Sequence, residues 1–133
     1  MANANNIYRG GKHMKIAISA TGQTIDSMLD KRFGRCQYFI IQDTETGEVE
    51  TVKNNGLTSE GGAGIAASQQ LIDEGVDVII TGNLGPNAFE VIERSGIKAY
   101  KCDEIAIRYA LEKYGNGELL EIQESGPAHH GGH

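Results

Sequence analysis

Two glycine-rich turns, each followed by a helix-forming stretch, restrict the fold of this chain most strongly. Gly61-Gly62-Ala63-Gly64 precedes one stretch, and Thr81-Gly82-Asn83-Leu84-Gly85-Pro86-Asn87 precedes the next. Such turns between strands and helices are typical of α/β proteins. Glycine N–H groups can approach a bound anion closely, and a helix start adds partial positive charge. The turns predict an anion-binding edge, although tight loops and helix caps would explain the same glycines.

Hydrophobic periodicity predicts five strands and three helices. The strands are predicted at residues 15–20, 38–41, 48–52, 76–80 and 97–100, and the helices at 63–74, from Pro86 to the stop at Gly96, and after a cap at Asp103. The turn at residues 43–47 should make strands two and three an antiparallel hairpin. The order βββαβαβα predicts an α/β fold with a mixed five-stranded sheet and helices packed on it. Residues 118–122 offer a short extended return.

A length of 133 residues suits a single domain. Residues 1–13 are polar and lack an apolar run, and the apolar pattern begins at a second methionine, Met14. We interpret residues 1–13 as an added leader, the alternative being a native disordered arm. The predicted domain is residues 14–123, followed by a flexible tail that contains histidines, residues 124–133.

Charge and hydropathy disfavour two classes of partner. The chain has 12 basic and 18 acidic side chains, and leaving out Arg9 and Lys12 makes the balance more acidic still. Nucleic-acid binding needs clustered positive charge, so this partner is not expected. No stretch approaches the roughly 18 apolar residues of a membrane span, and no secretory signal is visible. The sequence therefore predicts a cytoplasmic protein whose two cysteines remain thiols unless a metal binds them.

The strand order predicts which loops lie together. If strand one lies beside strand four, the loops after strands one, three, four and five meet at a single edge, where ligands of open α/β sheets bind. The loops brought together are residues 21–36, 54–64, 82–87 and 102–103.

The anion-binding candidates come from this edge. The loop Asp30-Lys31-Arg32-Phe33-Gly34-Arg35-Cys36 carries two guanidinium groups on an acidic protein, and an anionic ligand would complement them. The alternative is that both arginines pair with surface carboxylates. Phe33 is expected in the core. The predicted cofactor-binding residues are Arg32, Arg35, Gly61, Gly62, Gly64, Gly82, Asn83, Gly85 and Asn87.

The metal-ligand candidates are two thiols and three imidazoles. They are Cys36, Cys102, His129, His130 and His133. Thiolate and imidazole together suit iron, copper or zinc. The tail would reach the glycine turns if the extended return ran parallel to strand five. The alternatives are that the cysteines are buried small hydrophobic residues and that the tail is unstructured.

Hydrolytic chemistry finds little support. The sequence contains no GxSxG, HExxH or Walker A motif. Asp26, Asp30 and Asp103 are the candidate acids near the predicted edge, and each is more often a cap or a solvated loop residue.

Three segments together resemble the dinitrogenase iron-molybdenum cofactor biosynthesis family. They are residues 30–39, residues 61–67 and residues 75–89, and the likeness extends from Met14 to about Glu121. The resemblance implies a stand-alone member with a ribonuclease H-like architecture and no nuclease activity. It also implies binding or carriage of an iron-sulfur or molybdenum-containing cluster, or its precursor, in cofactor assembly or storage, alongside other cofactor-assembly proteins.

Three functions follow, in order of preference. The first is non-catalytic binding of such a metallocluster, whose negative charge Arg32, Arg35 and the two helix starts would offset. The second is a small-anion or nucleotide-binding regulatory module in which metal plays no part. The third is a weak hydrolase, suggested only by relatives of the fold.

Overall fold

The computed structural model describes residues 14–127, which contain six strands, three α-helices and one short 3-10 helix. The strands are β1 Lys15–Ala20, β2 Tyr38–Asp43, β3 Val49–Lys53, β4 Val78–Thr81, β5 Lys98–Lys101 and β6 Leu120–Glu121. The α-helices are α1 Ala63–Asp73, α2 Pro86–Ser95 and α3 Ile107–Gly115, and the 3-10 helix is Asn55–Thr58. The predicted α/β class is confirmed.

The strands form one mixed sheet in the order β3-β2-β1-β4-β5-β6. β2 pairs antiparallel with β1 and with β3, which confirms the predicted hairpin. β4 pairs parallel with β1 and with β5, which confirms that the first strand lies beside the fourth. The predicted number of five strands was wrong, because Leu120 and Glu121 pair antiparallel with β5. Two residues are too few for a periodicity signal, so this strand is defined only by its pairing in the sheet.

Two hydrophobic clusters cover the two faces of the sheet. Successive side chains along a strand point to opposite faces. Ala17 and Ile79 accordingly belong to one cluster, and Ile18 and Ile80 belong to the other. Buried residues of α1 and α2 join the first cluster, whereas those of α3 join the second. The fold is therefore a three-layer α/β/α arrangement in which the two glycine turns start helices on the same face.

Helix α3 begins later than the sequence predicts. Asp103 was expected to cap it, but the capping position is occupied by Ala106, which has an extended backbone and no side-chain cap. The reason is tertiary pairing with the loop after β1. The backbone N–H of Leu29 donates to the carbonyl of Ile105, and that of Ile107 donates to the carbonyl of Ser27. These bonds hold residues 105–106 extended and delay the first helical turn.

The C-terminal segment returns to the loop after β4 by a route that the sequence did not predict. β6 runs antiparallel to β5, not parallel as the hypothesis for the tail required. The chain then turns back, and the N–H of Gly126 donates to the carbonyl of Leu84 at 2.8 Å. The Asn83 side chain donates from Nδ2 to the carbonyl of Pro127 at 2.9 Å. Pro127, the last described residue, thus lies beside the second glycine turn.

Residues 1–13 and the tail histidines His129, His130 and His133 lie outside the described residues. Within residues 14–127, no helix combines the length and apolar character needed to cross a membrane.

Candidate functional site

A cavity of about 330 Å³ lies where the starts of α1 and α2 meet the loop between β1 and β2. We call it the glycine cavity. Its walls are formed by Arg32, Phe33, Gly34, Arg35, Glu60, Gly61, Gly62, Ala63, Gly64, Ile65, Asn83, Gly85, Pro86, Asn87 and Ala88. All but one of the predicted cofactor-binding residues therefore lie together. The exception is Gly82, which does not line this cavity.

Both helices present uncapped first turns to the glycine cavity. Gly62 precedes α1 with a left-handed backbone at φ +70°, and no side chain caps the helix. Gly85 precedes α2, again without a side-chain cap, and Pro86 occupies the first turn. Neither first turn contains an acidic residue. The first N–H groups of a helix have no acceptor within the helix, so the two turns offer hydrogen-bond donors and partial positive charge to a ligand.

The glycines of the two turns differ in how much space a side chain would have at each position. A Cβ on Gly61 would meet no atom within 4 Å, so this position is open. A Cβ on Gly64 would lie 3.1 Å from the Cβ of Ala88, which brings α1 and α2 close together. A Cβ on Gly82 would collide with Lys31, because residues 31–32 run directly alongside. Gly82 thus supports the loop that forms the cavity without lining it.

Arg32 is paired, but with a buried carboxylate and not with a surface one. Its Nε and Nη2 each donate to a different carboxylate oxygen of Asp30 at 3.2 Å, and its backbone N–H donates to Oδ1 at 2.9 Å. The side-chain hydrogen bonds to Asp30, together with its negative charge, raise the pKa of Arg32. Asp30 is 5% exposed, whereas the Arg32 side chain is 52% exposed. Asp30 therefore fixes the guanidinium at the rim while leaving part of it open to a ligand.

Arg35 binds the neighbouring loop. Its Nη1 donates to the carbonyl of Ser59 at 3.0 Å and to that of Leu57 at 3.4 Å. Arg35 lines the glycine cavity, yet part of the hydrogen-bonding capacity of its guanidinium is used on these carbonyls. Arg35 consequently holds the segment that leads to Gly61 and Gly62.

The two asparagines of the second turn have different surroundings. Asn87 is exposed in the first turn of α2 and lines the cavity. Asn83 also lines it, and its backbone forms a parallel bridge with Arg32. The Asn83 amide, however, donates to Pro127 in the C-terminal segment. Asn83 thus connects the cavity to the end of the described chain.

The two cysteines are buried and lie on opposite faces of the sheet. Cys36 belongs to the cluster beneath α1 and α2, and Cys102 belongs to the cluster beneath α3. Neither lines the glycine cavity. Burial raises the pKa of Cys36 to about 12 and also raises the pKa of Cys102. A neutral, buried thiol is a poor metal ligand, because the thiolate is the ligating form.

Within residues 14–127, no three or more His, Cys, Asp or Glu side chains are grouped so that they could hold a metal ion. Two of the candidate acids for hydrolysis are each paired with a different arginine. Asp26 pairs with Arg108 at 2.6 Å, and Asp30 pairs with Arg32. The described part of the cavity is therefore better suited to binding a ligand by hydrogen bonds than to coordinating a bare metal ion.

Sequence reasoning missed Gly34, Glu60 and Asn54. Gly34 lines the cavity and lies so close to α1 that a Cβ would be 2.8 Å from the backbone nitrogen of Gly64. Glu60 places an exposed carboxylate in the lining. Asn54 is buried, and its side chain forms hydrogen bonds with the loop before β2 and with the 3-10 helix. The Asn54-Asn55-Gly56 sequence signals a turn, but it does not reveal burial or partners.

The fold and the cavity define a small three-layer α/β domain with a glycine-lined cavity at the starts of two helices. A family model described as dinitrogenase iron-molybdenum cofactor matches residues 14–117. The chain belongs to this family. It is also 30% identical over 116 residues to an uncharacterised protein of Methanocaldococcus jannaschii, an alignment that covers 84% of this chain and 98% of that protein.

Solved structures show the same fold. The apo form of the orange protein from Desulfovibrio gigas superposes with a TM-score of 0.81 at 34% identity, covering 85% of this chain and 96% of that one. A Thermotoga protein provisionally described as NifB superposes with a TM-score of 0.76, also at 34% identity, covering 87% of this chain and 99% of that one.

Proposed function

We propose that this protein binds an anionic metallocluster, or a precursor of one, in the glycine cavity and does so without catalysis. The observation that carries the proposal is the convergence of two uncapped helix starts and the Arg32 guanidinium on one cavity. Iron-sulfur and molybdenum-containing clusters with net negative charge would be stabilised by these donors. Membership of the dinitrogenase iron-molybdenum cofactor family supports this class of ligand.

The proposal assigns hydrogen bonding, not coordination, to the described lining. Its donors are the first-turn N–H groups of α1 and α2 and the arginines, and its described residues include no thiol or imidazole. Direct metal ligation is proposed for His129, His130 and His133. Support for this part of the proposal is that Pro127, the last described residue, accepts a hydrogen bond from Asn83, which lines the cavity. Cys36 and Cys102 are left out of the proposed ligand set because they are buried and protonated.

A ribonuclease H-like architecture is part of the same proposal. Support comes from the antiparallel β1 to β3 followed by parallel β4 and β5 in a three-layer fold. The separate pairing of Asp26 and Asp30 gives no support to a hydrolase. We further propose a cytoplasmic setting, in which the protein passes its cluster to other cofactor-assembly proteins.

Anaerobic reconstitution tests cluster binding. The protein is incubated with ferrous iron and sulfide, or with molybdate and copper under reducing conditions, desalted, and analysed by visible spectroscopy and metal analysis. A protein-bound chromophore is expected. Arg32→Ala should weaken its retention roughly tenfold, because a charge-assisted hydrogen bond contributes about 1.5 kcal/mol or more. Arg94→Ala is the matched control, since Arg94 lies on the exposed side of α2. No chromophore under any condition would contradict the proposal.

Replacing the tail histidines tests ligation separately. The triple variant His129→Ala, His130→Ala and His133→Ala should retain the anion-binding cavity but alter the visible spectrum or lower the metal content. An unchanged spectrum and metal content would remove the histidines from the ligand set without affecting the assignment of the cavity.

The second candidate function is a regulatory module that binds a small anion or nucleotide. It is favoured by the same two helix starts and by the absence of a described metal-ligating cluster in residues 14–127. A thermal-shift panel separates the two functions, because a ligand of the native state raises the melting temperature by mass action. Stabilisation by nucleotides or phosphate, without any effect of metals and sulfide, would favour the regulatory module.

A further inference from the structure

Asn54 is a buried polar side chain that comes directly after β3. It is 4% exposed, although asparagine is mostly found at protein surfaces. It does not line the cavity. A buried amide is tolerated only where its hydrogen bonds are made, so its partners indicate its role.

The Asn54 amide joins two loops. Its Nδ2 donates to the carbonyl of Gly34 at 3.0 Å and to the carbonyl of Cys36 at 2.9 Å. Its Oδ1 accepts from the N–H of Gly56 at 2.8 Å. One side chain thus ties the loop that carries both cavity arginines, residues 30–36, to the 3-10 helix before α1. We call residues 30–36 the arginine loop.

The arginine loop and the 3-10 helix both lie against the first turn of α1, with almost no space between the backbones. A Cβ on Gly34 would lie 2.8 Å from the nitrogen of Gly64, and a Cβ on Gly56 would collide with the carbonyl oxygen of Ala63. The positions of Gly34 and Gly56 therefore determine how far the arginine loop is from the first-turn N–H groups of α1. Asn54 bonds to both of them.

We infer that Asn54 is a positioning residue: it sets the distance between the arginine loop and the start of α1, and thereby the shape of the glycine cavity. Arg35 reinforces the same arrangement through its bonds to Leu57 and Ser59. The role in ligand binding rests on the proposed function, whereas the role in joining the loops rests on the contacts alone.

The test uses two substitutions and a neighbouring control. Asn54→Ala removes the three side-chain bonds above together with a weak one from Nδ2 to Cys36 Sγ at 3.7 Å. Asn54→Ser keeps a hydroxyl that can accept from Gly56, but it is too short to bridge to the two carbonyls. Asn55→Ala is the control, because Asn55 is the adjacent, exposed residue of the same type.

Two measurements are made on the full chain, for each variant that folds, at a temperature where that variant is folded. Hydrogen exchange of the ligand-free protein should accelerate tenfold or more in both Asn54 variants at residues 34–36, 56–59 and 63–65, with the central strands unchanged. Binding of inorganic molybdate, followed by calorimetry, should weaken about tenfold. The control should change neither measurement.

A uniform rise in exchange over the whole sheet, with unchanged molybdate affinity, would show a merely structural role and overturn the inference. Unchanged local exchange in Asn54→Ser would overturn it equally, even if Asn54→Ala does not fold. If the unsubstituted protein binds neither molybdate nor a reconstituted cluster, the proposed function fails, while the exchange data still decide whether Asn54 joins the loops.

Discussion

Cys36 is the last residue of the arginine loop, and its thiol lies in the core, where it donates weakly to the carbonyl of Phe33 at 3.4 Å. Burial raises its pKa to about 12, with a smaller contribution in the same direction from Asp30. Burial changes a residue that the sequence presents as a candidate ligand into a small hydrophobic one. The same burial makes its ionisation a cost to folding, and this has a measurable consequence.

Stability should fall in alkaline solution partly because of Cys36. The folded state holds the thiol proton more strongly than the unfolded state, whose pKa is about 8.5. The stabilising contribution is therefore complete below that pH and is lost progressively as the pH rises toward 12. Between pH 8 and pH 10, urea unfolding should show the protein losing about 1–2 kcal/mol more than Cys36→Ala does. Equal losses in the two proteins would contradict the assignment.

At the scale of elements, the approach of α1 to α2 depends on Gly64. Its missing Cβ would lie 3.1 Å from that of Ala88, a residue that is itself 4% exposed. The two first turns can converge on one cavity only because this contact is so short. Helix propensity alone would favour alanine over glycine here, so the contact between the helices outweighs the local preference.

Gly64→Leu should separate the two helix starts. The side chain cannot fit against Ala88 without moving a backbone, and such overpacking costs about 1–3 kcal/mol. Chemical unfolding should show this loss, and cluster retention should fall with it. Gly115→Ala is the control, since a Cβ on Gly115 would meet nothing within 4 Å, and it should be neutral or slightly stabilising. A Gly64→Leu variant as stable as the unsubstituted protein would show that the helices can part freely.

At the scale of the whole molecule, the sheet separates the two thiols. Cys36 packs with Ala17 on one face, and Cys102 packs with Ile18 on the other. A disulfide requires the two Cα atoms to approach within about 7 Å, which an intervening sheet prevents. The fold thus keeps both cysteines as free thiols, each enclosed by its own helical layer.

Thiol reactivity should report on this separation. In the folded protein, an aromatic disulfide reagent should modify both cysteines at least about a hundredfold more slowly than in denaturant, because reaction requires opening of the core. Mass spectrometry after mild oxidation should show no internal disulfide. Rapid modification of either thiol in the native protein, or an internal disulfide without unfolding, would contradict the arrangement.

Much of the candidate site could be predicted because strand order alone brings the loops together. Placing β1 beside β4 was enough to group Arg32 with the two glycine turns, since the ends of parallel strands share an edge. The hydrogen-bond partners of the side chains at the site could not be predicted from strand order. The bond between Arg35 and Ser59 joins residues 24 positions apart, and nothing local in the sequence specifies it.

Local sequence patterns predict five of the six strands and the three α-helices with approximate bounds, because periodicity and glycine turns act over a few residues. Other features depend on the packing of residues that are distant in the sequence, so they are set only when the chain folds. These are the delayed start of α3, the sixth strand and the burial of Asn54. Local sequence states which hydrogen-bonding groups are present, whereas burial determines which of them must be paired within the protein, and burial exists only once the chain has folded.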